Sequence, residues 1–323
     1  MKRIGVFTSG GDSPGMNACI RAVVRTAAFH QVEVIGIKRG YQGLIENELS
    51  LINVKDVGNI IQYGGTVLKT ARSAEFLTTE GRQKAFQNIK NAGIEGLVCI
   101  GGNGTYAGAD VFYKEYGIPS IGAPGTIDND LFGTDYTIGF DTAVNTALDA
   151  IDKIRDTADS HNRVFFIEVM GRDSGFIALY SGIAGGAEGI LVPEIMSDYE
   201  DLIEHFGDES KRKKDFSIII VAEGETEGNA FEIADKFKKQ FKHFDIRVSV
   251  LGHIQRGGKP TVNDRILAST LGSASVESLL NGETSQCVGM VNQELKLTSF
   301  QDAISQHKKI NQNMWRLSQI LSA

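Results

Sequence analysis

Gly96-Leu97-Val98-Cys99-Ile100-Gly101-Gly102-Asn103-Gly104-Thr105 begins as a short apolar run and ends as a glycine-rich loop. A run of that length bounded by glycines reads as a buried strand, and the loop behind it as the entry to a helix. The same grammar recurs along the chain. Apolar runs stand at Ile4–Thr8, Val32–Ile37, Ser120–Ala123, Val164–Val169, Gly189–Val192, Ser217–Ala222, Arg247–Leu251 and Val288–Val291. Helical patterns lie between them. The clearest is Thr142–Asp159, where Val144, Ala147, Leu148, Ile151 and Ile154 follow the 3.6-residue period. Such alternation predicts an α/β fold with mainly parallel sheets covered by helices on both faces. With 323 residues the chain is long for a single core, so two domains are expected.

Composition narrows the function. A formal net charge of -7 argues against a general binder of nucleic acid or anionic membrane. Cys19, Cys99 and Cys287 are far apart and form no CxxC, so neither a disulfide framework nor a zinc site is expected, and a reducing cytoplasm is the natural setting. The strand-like Lys2–Thr8 starts at once, and no apolar run is long enough to span a bilayer. Glu204–Asp215 is polar and charged and reads as a helix end followed by a surface loop. The 37 glycines against five prolines suggest backbone that must turn sharply or approach a ligand.

The chemistry-bearing residues sit just after strands: Gly10–Asp12, Gly101–Thr105, Pro124–Asp130, Gly171–Arg172, Glu223 and His253–Arg256. Open α/β sheets bind ligands at the carboxyl ends of their strands. Thr8-Ser9-Gly10-Gly11-Asp12-Ser13-Pro14-Gly15-Met16-Asn17 offers backbone N–H groups and a helix N-terminus to a phosphate, although glycines alone would equally suit a tight turn. Gly101–Thr105 suits a nucleotide phosphate tail. Pro124-Gly125-Thr126-Ile127-Asp128-Asn129-Asp130 brings two carboxylates and a hydroxyl out of one strand. Phosphoryl transfer needs a base near the acceptor hydroxyl and oxygen ligands for Mg²⁺, although such a triplet also forms Asx-turns.

These strings, with Val169-Met170-Gly171-Arg172, Leu251-Gly252-His253-Ile254-Gln255-Arg256-Gly257-Gly258 and Asp264-Arg265-Ile266-Leu267-Ala268-Ser269, occur in the order found in the bacterial ATP-dependent phosphofructokinases, which the whole chain resembles. The resemblance implies two Rossmann-like three-layer lobes. A nucleotide lobe would comprise residues 1–138 plus 251–305, and a sugar-phosphate lobe 139–250 plus 306–323. It implies transfer of the γ-phosphoryl of ATP to the 1-hydroxyl of fructose 6-phosphate. Asp128 is then the general base, Asp130 supports the metal and the transferring group, Thr126 contacts that group, and Arg172 stabilises its charge. Gly11, Tyr41, Arg72, Ser73, Gly102, Asn103, Gly104 and Thr105 match nucleotide-contacting positions. Tyr41 on its own reads equally well as an aromatic packed on a turn. Thr126, Ile127, Asp128, Met170, Gly171, Arg172, Glu223, His253 and Arg256 match sugar-phosphate positions, joined by Arg163 and Arg247 from a neighbouring subunit. A homotetramer is therefore expected.

Glycine at 104 and 125, where pyrophosphate-using relatives tend to carry Asp and Lys, implies ATP as donor. Arg21, Arg25, Arg155, Gly186, Glu188, Arg212 and Lys214 match an effector pocket for ADP or phosphoenolpyruvate. The family usually continues Lys-His there, whereas this chain has Asp215-Phe216. A second departure is Asn103, which stands where the family has an Asp described as a Mg²⁺ ligand. A carboxamide oxygen can coordinate but carries no charge. Two other readings follow: a non-catalytic or regulatory subunit, motivated by Asn103, and another kinase of the GGDG superfamily such as an NAD kinase, which lacks the GH-x-QRGG string.

Overall fold

A computed structural model describes residues 1–160, 163–196, 198–207 and 216–322. Its contacts divide the chain into two compact units. The first comprises Met1–Ile127, Leu131–Thr142 and Arg256–Lys308, and the second Asp128–Asp130, Ala143–Gln255 and Lys309–Ala323.

The first unit contains β1 (Arg3–Thr8), α1 (Met16–Phe29), β2 (Glu33–Ile37), α2 (Gly40–Glu46), β3 (Leu49–Ile52), α3 (Thr79–Asn91), β4 (Gly96–Gly101), α4 (Asn103–Tyr116) and β5 (Ser120–Pro124). α5 (Phe140–Asp159) starts in it and continues into the second unit. The second unit goes on with β6 (Arg163–Val169), α6 (Phe176–Gly185), β7 (Gly189–Leu191), α7 (Asp198–Gly207), β8 (Ser217–Ala222), α8 (Ala230–Gln240) and β9 (Asp245–Val250). The chain then returns to the first unit for α9 (Val262–Leu280), β10 (Gln286–Val291), β11 (Glu294–Ser299) and α10 (Phe300–Ser305), and closes in the second with α11 (Gln312–Ser322).

The first sheet has seven strands in the order β11-β10-β5-β4-β1-β2-β3. Its centre is parallel, and the two outermost pairs, β10–β11 and β2–β3, are antiparallel. Side chains alternate across a strand. Accordingly Ile4, Val6, Val98 and Ile100 join α1 and α9 on one face, while Phe7, Leu97 and Cys99 join α2, α3, α4 and α10 on the other. The second sheet, β7-β8-β6-β9, is wholly parallel. Val164, Phe166, Ile219 and Val221 bury one face of it against Leu202 and Phe206 of α7 and Ile233 and Phe237 of α8. The mainly parallel α/β architecture expected from the sequence is what the chain forms. β3 and β11 are additions to it. Both are edge strands with half-exposed side chains, so they lack the continuous apolar run that marks a buried strand.

Candidate active site

Three neighbouring strands of the first sheet, β1, β4 and β5, release the three loops singled out above, and backbone bonds tie those loops together. Ser9 N donates to Ile100 O (3.0 Å) and Gly125 N to Gly101 O (3.0 Å). Thr105 Oγ1 donates to Ser9 O (3.3 Å). The approach is close enough to require glycine at 101, where a Cβ would lie 2.5 Å from Ser9 O. The helices that follow start without a side-chain cap, at Gly15 (φ 112°) for α1 and at Gly102 for α4, which leaves their first N–H groups to other acceptors. Gly104 faces open space, whereas a Cβ at Gly125 would press on Met16 and Ile100. Packing explains the glycine at 125, and the open space is at 104.

Asn103 opens α4, and its Oδ1 is buried without a hydrogen-bond partner. Arg72 is exposed, and Ser73 Oγ donates to Gln42 Oε1 (2.7 Å) while accepting from Phe76 N (3.2 Å). Tyr41 is buried, stacks on Phe76 at 4.0 Å, and donates its hydroxyl to Thr105 O (2.5 Å). Burial pushes that phenol well above its ordinary pKa. Tyr41 thus supports the start of α4 from behind. The guanidinium of Arg256 covers Gly11, so closely that a Cβ there would overlap Nη1, and reaches Asp12 O (3.3 Å). Arg256, expected from the sequence to contact the sugar, also lies against the first glycine-rich loop.

The triplet Asp128–Asp130 belongs with the second unit, one residue beyond Ile127 of the first. Asp128 and Asn129 are buried, and Asn129 holds a left-handed φ of 54°. Ile127 is fully buried, so what it offers a ligand is backbone. Ser174 Oγ lies 2.8 Å from Asp128 O and 3.0 Å from Gly171 O. Beyond β6, Met170 is buried while Arg172 is exposed and has φ 53°, an unusual conformation for a long side chain. Glu223 Oε1 accepts from both Gly171 N (3.3 Å) and Arg172 N (2.7 Å), and Gly224 packs its α-carbon on the Arg172 carbonyl. Backbone held in this way presents the guanidinium outward, and such local strain gathers at functional sites.

Arg163 and Arg247 are brought together. Strand register sets Arg163 opposite Asp245, and Asp245 Oδ2 accepts from Arg163 Nε (2.8 Å) and Arg247 Nη2 (3.2 Å). His253 is exposed, and Gln255, fully buried, accepts from Met170 N (3.4 Å) and donates to Gly252 O (3.1 Å). Asp245, Gln255 and Ser174 are supporting residues that sequence reading missed. Gln255 sat inside a quoted motif, but Asp245 is found only through the pairing of β6 with β9.

Of the effector set, Arg155 donates to the carbonyls of Gly185 and Gly186, which close α6. Its guanidinium also stands 5.8 Å from the ring centre of Phe216. Glu188 Oε2 accepts from Ile218 N (2.8 Å). Arg21 and Arg25 are on α1, in the other unit. Arg212, Lys214 and Asp215 lie outside the described residues. Among the described residues no group of three or more His, Cys, Asp or Glu could hold a metal ion, and no helix is long and apolar enough to cross a membrane.

The phosphofructokinase family model matches residues 3–279. The chain belongs to the phosphofructokinase family. An ATP-dependent 6-phosphofructokinase 1 from Thermus thermophilus is 59% identical over 322 residues, covering 100% of both chains. An ATP-dependent 6-phosphofructokinase from Bacillus licheniformis is 56% identical over 322 residues with the same coverage. The solved phosphofructokinase of Saccharomyces cerevisiae superposes with a TM-score of 0.90 at 34% identity, over 100% of this chain and 48% of the yeast chain, so this chain spans about half the yeast one. The phosphofructokinase fold is therefore shown by sequence and structure together.

Proposed function

We propose that this phosphofructokinase transfers the γ-phosphoryl of ATP to the 1-hydroxyl of fructose 6-phosphate, giving fructose 1,6-bisphosphate and ADP. One observation carries the reading: Gly125 N on Gly101 O binds the acceptor-side loop to the second glycine loop, and Thr105 Oγ1 on Ser9 O binds that loop to the first, all at the carboxyl ends of neighbouring strands. Full-length identity with ATP-dependent relatives supports the choice of donor. The first unit would hold the nucleotide through Gly11, Arg72, Ser73 and Gly102–Thr105. The second would hold the sugar phosphate through Met170–Arg172, Glu223 and His253.

In the reaction, Asp128 accepts the proton of the 1-hydroxyl. The freed oxygen forms its bond to the γ-phosphorus while the bond to the bridging oxygen of ADP breaks. Arg172 matches the charge spread over the transferring group, a task suited to a planar cation, and Thr126 contacts the same group. Arg163 and Arg247, gathered on Asp245, form a cationic pair for the 6-phosphate of a neighbouring subunit's substrate in a homotetramer.

The buried, unpartnered Asn103 Oδ1 suits one oxygen ligand of a hard cation. Mg²⁺ held there would neutralise phosphate charge, and Asp130 is the second residue that the resemblance assigns to it. A glycolytic role places the enzyme in the cytoplasm. Because Phe216 already occupies one face of Arg155, response to a phosphoenolpyruvate-like anion should be weak.

Steady-state rates with ATP or pyrophosphate as donor, and fructose 6-phosphate or NAD as acceptor, test the assignment. Turnover with ATP and fructose 6-phosphate is expected. A preference for pyrophosphate, phosphorylation of NAD, or no turnover with any pair would overturn it. The last result would favour the regulatory-subunit reading that Asn103 suggests.

A further inference from the structure

Behind the reactive loops of the first unit runs the segment Thr137–Thr142, and its contacts reach two of them. Thr137 Oγ1 donates to Thr126 O (2.6 Å). Ile138 N donates to Pro124 O (2.8 Å), and Ile138 forms a parallel bridge with Gly125. On its other side the segment meets the first phosphate loop. A Cβ on Gly15 would lie 2.7 Å from Ile138 Cγ2, and one on Gly139 (φ 105°) would lie 2.5 Å from Ser13 Cβ. The segment is thus a strut. It fixes the carbonyls of Pro124 and Thr126 and the approach to the N-terminus of α1.

One buried carboxylate anchors this strut. Asp264, in the first turn of α9, is 1% exposed. Its Oδ1 accepts from Gly139 N (2.7 Å), and its Oδ2 from Thr142 N (2.8 Å) and Thr142 Oγ1 (2.5 Å). Thr142 Oγ1 in turn accepts from Thr261 N (3.0 Å). Thr261 caps α9 by accepting from Asp264 N (3.2 Å), and its hydroxyl donates to Asp141 Oδ2 (2.5 Å). The N-termini of α5 and α9 therefore share one hydrogen-bonded knot. The positive ends of both helices favour the negative charges of Asp264 and Asp141. A cap for α9 alone needs only Thr261. The carboxylate of Asp264 is spent on the strut.

We propose that Asp264 is a positioning residue for phosphoryl transfer, fixing through Gly139, Thr142 and Thr137 the backbone that carries Thr126. The inference rests on the functional reading above, in which Thr126 contacts the transferring group. A small misplacement of a group aligned for transfer costs rate far more than it costs binding, up to about a hundredfold for roughly 1 Å.

The test measures kcat and both KM values for wild type, Asp264→Asn, Thr137→Val and the double variant, normalised to folded protein. Asp264→Asn keeps the shape but turns an amide N–H₂ toward a backbone donor. It should lower kcat about ten- to a hundredfold, with KM for ATP and fructose 6-phosphate within about threefold. Thr137→Val, which deletes the bond to Thr126 O, should lower kcat several-fold. The double variant should be little worse than Asp264→Asn, because both act on the same carbonyl. A fully active Asp264→Asn with a lowered melting temperature would reduce Asp264 to a stabilising role and overturn the proposal. If that variant does not fold, an unchanged kcat in Thr137→Val overturns it instead. A wild type that binds both substrates without turnover would remove the functional reading and this inference with it. An active wild type with unaffected variants removes the inference alone.

Discussion

At the residue scale the account depends on a few buried polar groups and on what each is asked to do. Asp128 is 4% exposed and lies in the acceptor-side loop. As a base it contributes to the transition state more than to ground-state binding. Asp128→Asn should lower kcat by several orders of magnitude and leave KM for fructose 6-phosphate within a few-fold. A variant keeping a tenth of wild-type kcat would remove it from proton transfer. Asn103 offers a buried neutral oxygen where the family resemblance implies a charged one. Asn103→Asp should raise kcat about ten- to a hundredfold, equivalent to roughly 1–3 kcal/mol. It should also lower the Mg²⁺ concentration giving half-maximal rate, and identical curves for the two forms would separate this position from the metal. Asp264 makes a prediction of its own. Burial, outweighing its three hydrogen bonds and helped by the neighbouring charge of Asp141, pushes its carboxyl up from 3.8 to about 6. Between those values the folded chain holds a proton that the unfolded chain has lost, so this group's contribution to stability falls as pH rises. The stability difference between wild type and Asp264→Asn, from urea unfolding, should shift against the wild type by about 2–3 kcal/mol from pH 4 to pH 7. A flat difference would mean that the three donors offset the burial.

At the scale of elements, strands and loops were more legible than the bonds between them. Apolar runs bounded by glycines located the central strands of both sheets, because a strand buried on both faces has to be apolar throughout. The edge strands Leu49–Ile52 and Glu294–Ser299 escaped because their exposed positions break that run. The clearest helical pattern was Thr142–Asp159, and the helix spans Phe140–Asp159. Of its two extra residues, Asp141 accepts from Thr261 of the knot, a connection across 120 residues that no local pattern carries. The roles of Asp245 and Gln255 were hidden for a similar reason, since register and long-range bonds are absent from local sequence. The loop after β6 makes the sharpest demand on its neighbours. Gly224 touches the carbonyl of Arg172, itself held at φ 53°. Gly224→Ala should therefore displace Arg172, lowering kcat more than tenfold and stability by about 1–3 kcal/mol. A kcat within twofold of wild type would show that the loop tolerates movement and that the outward pose of Arg172 is not set there.

At the scale of the whole molecule, the proposal gives the two units two binding tasks and adds a third level, the oligomer. Arg163 and Arg247 converge on Asp245 at the ends of adjacent strands. If they serve a neighbour's substrate, Arg247→Ala should weaken fructose 6-phosphate binding by roughly 2 kcal/mol or more and ATP binding little. Mixing the inactive Arg247→Ala and Asp128→Asn proteins should restore some activity on subunit exchange, and a fully active monomer in sedimentation would end the idea of sharing. The central claim, that this phosphofructokinase moves the γ-phosphoryl of ATP onto carbon 1 of fructose 6-phosphate, has a more direct test. Phosphorus NMR of the purified chain with ATP, Mg²⁺ and fructose 6-phosphate follows both phosphates at once. The account predicts that the γ-phosphate resonance disappears while a 1-phosphate resonance of fructose 1,6-bisphosphate grows in equal amount. Growth of inorganic phosphate alone, or an unchanged γ-phosphate under conditions where both substrates bind, would contradict it.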